Sequence, residues 1–304
     1  MRAVMILILV LACIGCNDAA STSAGPPEAE RDGGVRIVSL TPAGSKLLVD
    51  MGLGDRIVGR HNYDQVVDRS VPAVGDQGGI DYERLIGLKP THVVTEWGAR
   101  SPPTRLEDLG ASQGFELVNI STLTLGEIVE SARRLENVFG VGSELSSELD
   151  LVFSQRSEPR PTWGTVLLVM QTSPTVDCLG PGSAHHELLV RSGYTPAIAE
   201  GSPYVPLDAE DVLTLDPGVI VLIRPRSGKT AEGHGSAADL GVLAGLGLGA
   251  VERGRVVLID DPLALLPSSS LLGYVRALQR GLEALGPLGS PREDTTDNGQ
   301  SGPG

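Results

Sequence analysis

The sequence predicts an α/β protein built as two Rossmann-like lobes with mostly parallel sheets, joined by one long helix, with a ligand cleft between the lobes. Three observations lead there. Strand-like apolar runs alternate with capped helical segments over residues 35–123 and again over 159–286. Between these halves a helical apolar period runs from Thr124 to about Ser157. Two stretches of the first half also recur, in the same order, in the second. A chain of 304 residues has room for two cores of ordinary size.

The N-terminus comes first. Arg2 is followed by the apolar run Val4 to Ile14. That run is too short to span a bilayer, which takes about 20 residues, and it has no polar positions at helical spacing, so it reads as the h-region of an export signal. Ile14-Gly15-Cys16 then resembles a bacterial lipobox. Its cysteine would carry lipid and become the new N-terminus. Val10-Leu11-Ala12-Cys13 is a competing site, because position 13 is Cys where the pattern prefers Leu. The expected product is exported and lipid-anchored to a membrane, periplasmic or at the cell surface, with residues 1–16 as signal peptide. Beyond Cys16 only Cys178 remains, so no internal disulfide forms, and no Cys/His spacing suggests zinc. Residues 17–34, rich in Ala, Ser, Gly, Pro and Glu, read as a flexible tether, and 287–304 as a disordered tail.

The first lobe (35–123) opens on a strand from Val35 to Leu40. Thr41 caps a helix with Pro42 at its first position, and Gly52 ends it. Strands follow at Ile57-Val58, His92–Thr95 and Phe115–Ile120, with helices from Asp81 to Leu88 and over 104–113. The linker helix (124–158) shows apolar residues at Leu125, Ile128, Val129, Ala132, Leu135, Leu145, Leu149 and Val152, with Gly140 and Gly142 as places for a kink. The second lobe (159–286) shows strands at Val166–Met170, Val219–Ile223 and Val256–Ile259. Its helices fall at 184–192, 209–215, near 236–246 and over 269–285. The repeat pairs Asp81-x-Glu83-x₄-Leu88-x-Pro90-x₃-Val94 with Asp208-x-Glu210-x₄-Leu215-x-Pro217-x₃-Val221. It also pairs Leu47-Leu48-Val49-x-x-Gly52 with Leu188-Leu189-Val190-x-x-Gly193.

Net charge narrows the function. At −14 the chain lacks the basic surface that nucleic acid requires. Three enzyme-like motifs fail on context. Ser227-Gly-Lys-Thr230 looks like the end of a phosphate-binding loop, but the required first glycine would be residue 223, which is Ile. Gly245-x-Gly247-x-x-Ala250 follows a helical segment rather than a strand, and no Gly-x-Ser-x-Gly elbow exists. The reading is therefore a binding protein and not an enzyme, with no catalytic residue, no cofactor and no metal site assigned.

In open parallel sheets ligands bind beyond the carboxyl ends of the strands. That rule selects Thr41, the His61-Asn62-Tyr63 loop, Asp76-Gln77 and Glu96-Trp97 in the first lobe. In the second it selects Gln171, Arg224 with Arg226, and Asp260-Asp261, with Tyr204 in a loop before a capped helix. Aromatic residues make up only 3% of the chain, which gives Trp97, Tyr63 and Tyr204 added weight. Arg224 and Arg226 suggest an anionic ligand. His185 and His186 start a helix, where one should face solvent and the other the lobe or cleft; iron or haem ligation is open to them, as are capping and packing. A zinc site from His61, His185 and Asp261 is a further alternative.

At this point the sequence resembles a known family. Arg36-Ile-Val-Ser-Leu40-Thr-Pro42, Gly52-Leu-Gly54-Asp-Arg-Ile-Val-Gly59, Pro72-Ala-Val-Gly75 and Glu83-Arg-Leu-Ile-Gly-Leu-Lys-Pro90 are similar to the iron-complex and vitamin B12 periplasmic-binding family of ABC-importer solute-binding proteins. Gly180-Pro-Gly-Ser183 and Leu207-Asp208-Ala-Glu210-Asp-Val-Leu213 resemble its second lobe. The resemblance covers about residues 35–285. It implies two α/β lobes bridged by a rigid helix and a ferric siderophore, haem or corrinoid held between them. The partner is a dimeric permease, and the binding protein acts as a monomer. It places Tyr63 where B12 binders carry an aromatic pocket residue, Gln77 where they carry tryptophan, and Asp261 near a polar pocket residue. It also maps a permease-docking glutamate of each lobe onto Glu83 and Glu210. The alternatives are an exported two-lobed transferase-like enzyme and a zinc- or manganese-binding importer component.

Overall fold

The computed structural model describes residues 34–76, 79–225 and 237–289. The predicted signal segment, Cys13, Cys16, Gln77 and Arg226 lie outside the described residues, as do most of the tether and the tail beyond 289. Among the described residues no helix is long and apolar enough to cross a membrane.

The first lobe contains β1 (Ile37–Ser39), α1 (Pro42–Asp50), β2 (Ile57–His61), β3 (Ala73–Asp76), β4 (Gly79–Ile80), α2 (Tyr82–Gly87), β5 (His92–Thr95), α3 (Thr104–Gln113) and β6 (Glu116–Asn119). Its sheet runs β4-β3-β2-β1-β5-β6, and every pairing is parallel except β3 with β4. Two helices follow, α4 (Leu125–Phe139) and α5 (Leu145–Phe153). The second lobe contains β7 (Thr165–Gln171), β8 (Val176–Leu179), α6 (Ala184–Arg191), β9 (Thr195–Pro196), β10 (Tyr204–Leu207), α7 (Ala209–Leu215), β11 (Val219–Arg224), α8 (Ala237–Leu240), α9 (Gly249–Glu252), β12 (Val256–Asp260) and α10 (Leu271–Leu285). Its order is β10-β8-β7-β11-β12, with β9 also on β7. Here β7, β11 and β12 are parallel and β8 runs antiparallel to both of its neighbours.

The expected long helix between the lobes is interrupted. Thr124 starts α4 with a capping box, its hydroxyl accepting from the Glu127 N–H while the Glu127 carboxylate accepts from the Thr124 N–H. Gly140 ends α4 in the left-handed region at φ 60°. The chain restarts as α5 after Glu144, where the Glu136 carboxylate accepts from the Ser146 N–H and hydroxyl. The apolar period continues across the break because α5 packs back on the same core as α4.

Side-chain alternation explains how the layers join. Ile37 and Val94 of the first sheet, and Val166, Leu168, Val219, Val221 and Val257 of the second, point to one buried cluster. That cluster also takes in Leu125, Ile128, Leu135, Leu149 and Phe153 from α4 and α5. The intervening residues face outward to separate clusters: Val38 and Val93 with Leu85 and Leu106 in one lobe, Leu167, Ile220 and Leu222 with Val212 and Leu243 in the other.

The repeat extends to backbone detail. Asp81 and Asp208 both cap their helices through the side chain. Lys89 (φ 46°) and Asp216 (φ 35°), which occupy matching repeat positions ahead of Pro90 and Pro217, are the non-glycine residues with positive φ among the described residues. Gly52 and Gly193, also matched, sit at φ 79° and 86°, and their N–H groups close equivalent turns onto Val49 and Val190.

Candidate functional site

The first lobe gathers its polar groups at the ends of β1, β2, β5 and β6. Thr41 is 1% exposed and its hydroxyl bridges two groups: it accepts from the Gly44 N–H at the start of α1 and donates to Glu96 Oε2 at 2.5 Å. Buried Thr122, just beyond β6, donates to Glu96 Oε1. Each oxygen of the partly buried Glu96 carboxylate thus accepts from a threonine. Next to it the Trp97 N–H donates to the Asn119 side chain, which ties the loop after β5 to β6, and Arg100 lies 6.0 Å from the Trp97 ring.

At the end of β2, His61 is buried while Tyr63 is 75% exposed. The two rings lie 5.8 Å apart, and His61 Nδ1 accepts from the Tyr63 N–H. That bond places the neutral ring's proton on Nε2. Burial lowers the His61 pKa, against the pull of Asp76, Asp64 and Glu96. Asn62 donates to Asp76, joining this loop to β3.

The second lobe contributes Tyr204, which begins strand β10 rather than lying in a loop, and is half exposed. Burial raises its pKa, and the nearby charge of Glu96 adds to the rise. Glu96 therefore acts electrostatically on groups of both lobes. Asp261 caps its own turn by accepting from the Leu263 N–H. With Pro262 and Leu263 it lines a cavity of about 390 Å³ whose other wall is Gln65, Val67 and Arg69 of the first lobe. The lobes are tied directly as well: the Ala184 N–H donates to the Leu123 carbonyl at 2.8 Å, and the Ser269 hydroxyl donates to Asp50 at 2.5 Å. A larger cavity, about 550 Å³, lies along β12 and α10 within the second lobe alone.

The structure places Asp261 on a cavity lined from both lobes and Tyr204 within electrostatic reach of Glu96 across them, with Tyr63 and Trp97 in first-lobe loops beyond β2 and β5, while other predicted residues are placed differently. His185 is 3% exposed; its Nε2–H donates to the Ala264 carbonyl at 2.8 Å and its ring packs edge-on against Tyr274. Burial takes its pKa down to about 4. His186 is buried too and donates to the Ile198 carbonyl. The expectation that one of this pair faces solvent does not hold, because α6 is packed on both sides. Among the described residues no group of three His, Cys, Asp or Glu is arranged to hold a metal. Arg224, read as a free cation for an anionic ligand, is ion-paired with Asp239; its Nε is buried without a partner. Gln171 is exposed and donates to the Ser173 carbonyl. Glu83 and Glu210 are both exposed in the first turns of α2 and α7. Sequence reasoning named Glu96 only as a loop residue and missed Thr122; three polar residues from three strand ends carry no joint spacing signal.

This fold, two α/β lobes around a shared helical seam with polar loops facing each other, is that of the periplasmic solute-binding proteins. Among solved structures, the periplasmic heme-binding protein RhuT from Roseiflexus sp. RS-1 in apo form superposes with a TM-score of 0.64 at 20% identity, covering 83% of this chain and 99% of that one. No family model matches the chain. A vitamin B12-binding protein of Vibrio cholerae serotype O1 is 26% identical over 225 residues, 71% of this chain and 78% of the relative. An uncharacterized ABC transporter substrate-binding lipoprotein of Bacillus subtilis (strain 168) is 23% identical over 261 residues, 81% of this chain and 79% of the relative. These three are binding proteins by name, not enzymes, and they bear out the resemblance read from the motifs.

Proposed function

We propose that this chain is the substrate-binding lipoprotein of an ABC importer. It is exported and held to a membrane through lipid on Cys16. It captures an iron complex (siderophore or haem) or a corrinoid between its lobes and delivers it, as a monomer, to a dimeric permease. One observation supports this reading: two lobes of matching construction share a core and line one cavity from both sides, in a chain whose named relatives bind such ligands. Tyr63, Trp97 and Tyr204 supply aromatic surface; Gln77, Gln171, Arg224 and Asp261 supply polar contacts. His185, buried against Ala264 and Tyr274, is left out of the ligand contacts. Glu83 and Glu210 hold equivalent places in the two halves of the repeat, as two-fold docking on a symmetric permease requires.

The test is to purify the full chain in detergent and identify any co-purifying small molecule by absorption and mass. Haemin, cyanocobalamin and ferric siderophores are then titrated into the emptied protein. A one-to-one complex with one of these classes is expected. Failure of all of them to bind overturns the reading. A complex in which no second-lobe residue touches the ligand overturns the two-lobe assignment.

A further inference from the structure

We propose that Glu96 makes the cleft selective for a ligand that presents a cationic group, so that carboxylate-bearing complexes are excluded. This rests on the binding-protein reading above and names the ligand chemistry within it.

Two hydrogen bonds hold this side chain in place. The Thr41 hydroxyl accepts from the Gly44 N–H and donates its proton to Glu96. Thr122 donates to the other oxygen. Each oxygen of Glu96 accepts one threonine hydroxyl and keeps a second lone-pair direction for a further donor. Both threonines are 1% exposed, so neither swings away at low cost. Among the described residues, no lysine, arginine or histidine pairs with Glu96. The arginine in its own loop, Arg100, sits exposed by the Trp97 ring.

The surroundings reinforce the Glu96 charge. His61 stays neutral near pH 7, because its pKa lies below the ordinary value, and Tyr204 stays protonated, because its own lies above. Arg224, the cation expected to meet an anion, is already answered by Asp239. A carboxylate arriving beside Glu96 would bring two like charges together in a partly desolvated cleft. An ammonium would instead bring the opposite charge and charge-assisted hydrogen bonds to the lone pairs left open.

The test uses four probes of graded charge on the full chain in detergent. They are ferric desferrioxamine B, which carries a pendant ammonium; its N-acetyl derivative, with the same iron centre and no ammonium; cyanocobalamin; and haemin, with two carboxylates. The ammonium form should bind at least about tenfold more tightly than the acetylated form, the effect of one charge-assisted hydrogen bond. Glu96→Gln keeps the shape and one acceptor, and should bring the two ferric complexes to equal affinity. A melting curve on Glu96→Gln confirms that it folds, and Glu96→Asp should keep part of the preference. Equal binding of the two ferric complexes by the unmodified chain, a preference that survives Glu96→Gln, or tighter binding of haemin or cyanocobalamin than of the ammonium form would each overturn the proposal while leaving the binding-protein reading standing. If none of the four binds, both fall together.

Discussion

At the scale of single residues, hydrogen bonds hold the strand-end loops of the first lobe: Thr41 and Thr122 donate to Glu96, and the Tyr63 N–H to His61. Tyr63 is the most exposed aromatic group here, at 75%, and it has ordered neighbours rather than a buried berth. Tyr63→Ala and Trp97→Ala should each weaken ligand binding by about 1–3 kcal/mol, the usual range for losing a packed aromatic contact, without lowering the melting temperature in the absence of ligand. His185 gives the opposite result: it should change stability and leave binding alone. Its ordinary pKa is 6.5 and its folded value about 4, so between these the unfolded chain holds a proton that the folded chain does not. Stability is therefore full above pH 6.5 and falls as the pH drops through that window. His185→Gln removes the titrating ring, so its melting temperature should fall less steeply between pH 6.5 and 4; an unchanged slope would show that His185 is not the source. The two roles could not be told apart in sequence. His185 and Tyr63 are both polar aromatics beside predicted elements, and only the packing of α6 against Ala264 and Tyr274 separates them.

At the scale of elements, most of the architecture was legible. Helix α3 matches its predicted span, Thr104–Gln113, because Pro103 and Gly114 bracket it; α2 and α7 match because an aspartate caps each. What sequence missed has a common cause. Strands β8 and β10 interrupt the strand-helix alternation with antiparallel pairings, and β4 and β9 are two residues long, too short for any period to register. The segment near 236–246 is not one helix but a short turn of α8 followed by a 3-10 stretch, where Gly241 turns at φ 52° against the Thr172 carbonyl. The linker's break at Gly140 was visible only as a possible kink, since the buried stripe runs on through it. Two predictions belong here. Thr124→Ala removes half of the capping box of α4 and should destabilise the protein by about 1 kcal/mol, seen as a lower melting temperature. Lys89→Gly and Asp216→Gly relieve left-handed backbone at matching positions and should each raise it, or at worst leave it level; a clear drop at both would mean that these side chains hold the turns.

At the scale of the whole molecule, the two lobes share one construction, with equivalent capped helices, turns and exposed glutamates. Reversing both charges, Glu83→Arg with Glu210→Arg, should leave ligand affinity near its original value and abolish uptake through the permease in reconstituted vesicles. Single reversals should be milder, with one lobe still anchored. Normal transport by the double variant would reduce the pair to solvated acids; loss of ligand binding would mean that these residues face the cleft. The buried cluster that runs from Ile37 and Val94 through α4 and α5 to Val166, Val219 and Leu278 belongs to neither lobe alone. A chain whose largest buried cluster spans both lobes has no weak plane along which to come apart. Heating should therefore give a single calorimetric transition, with calorimetric and van't Hoff enthalpies in agreement, rather than one melting step per lobe. Either half expressed by itself would be left with an uncovered apolar flank, and should aggregate rather than fold.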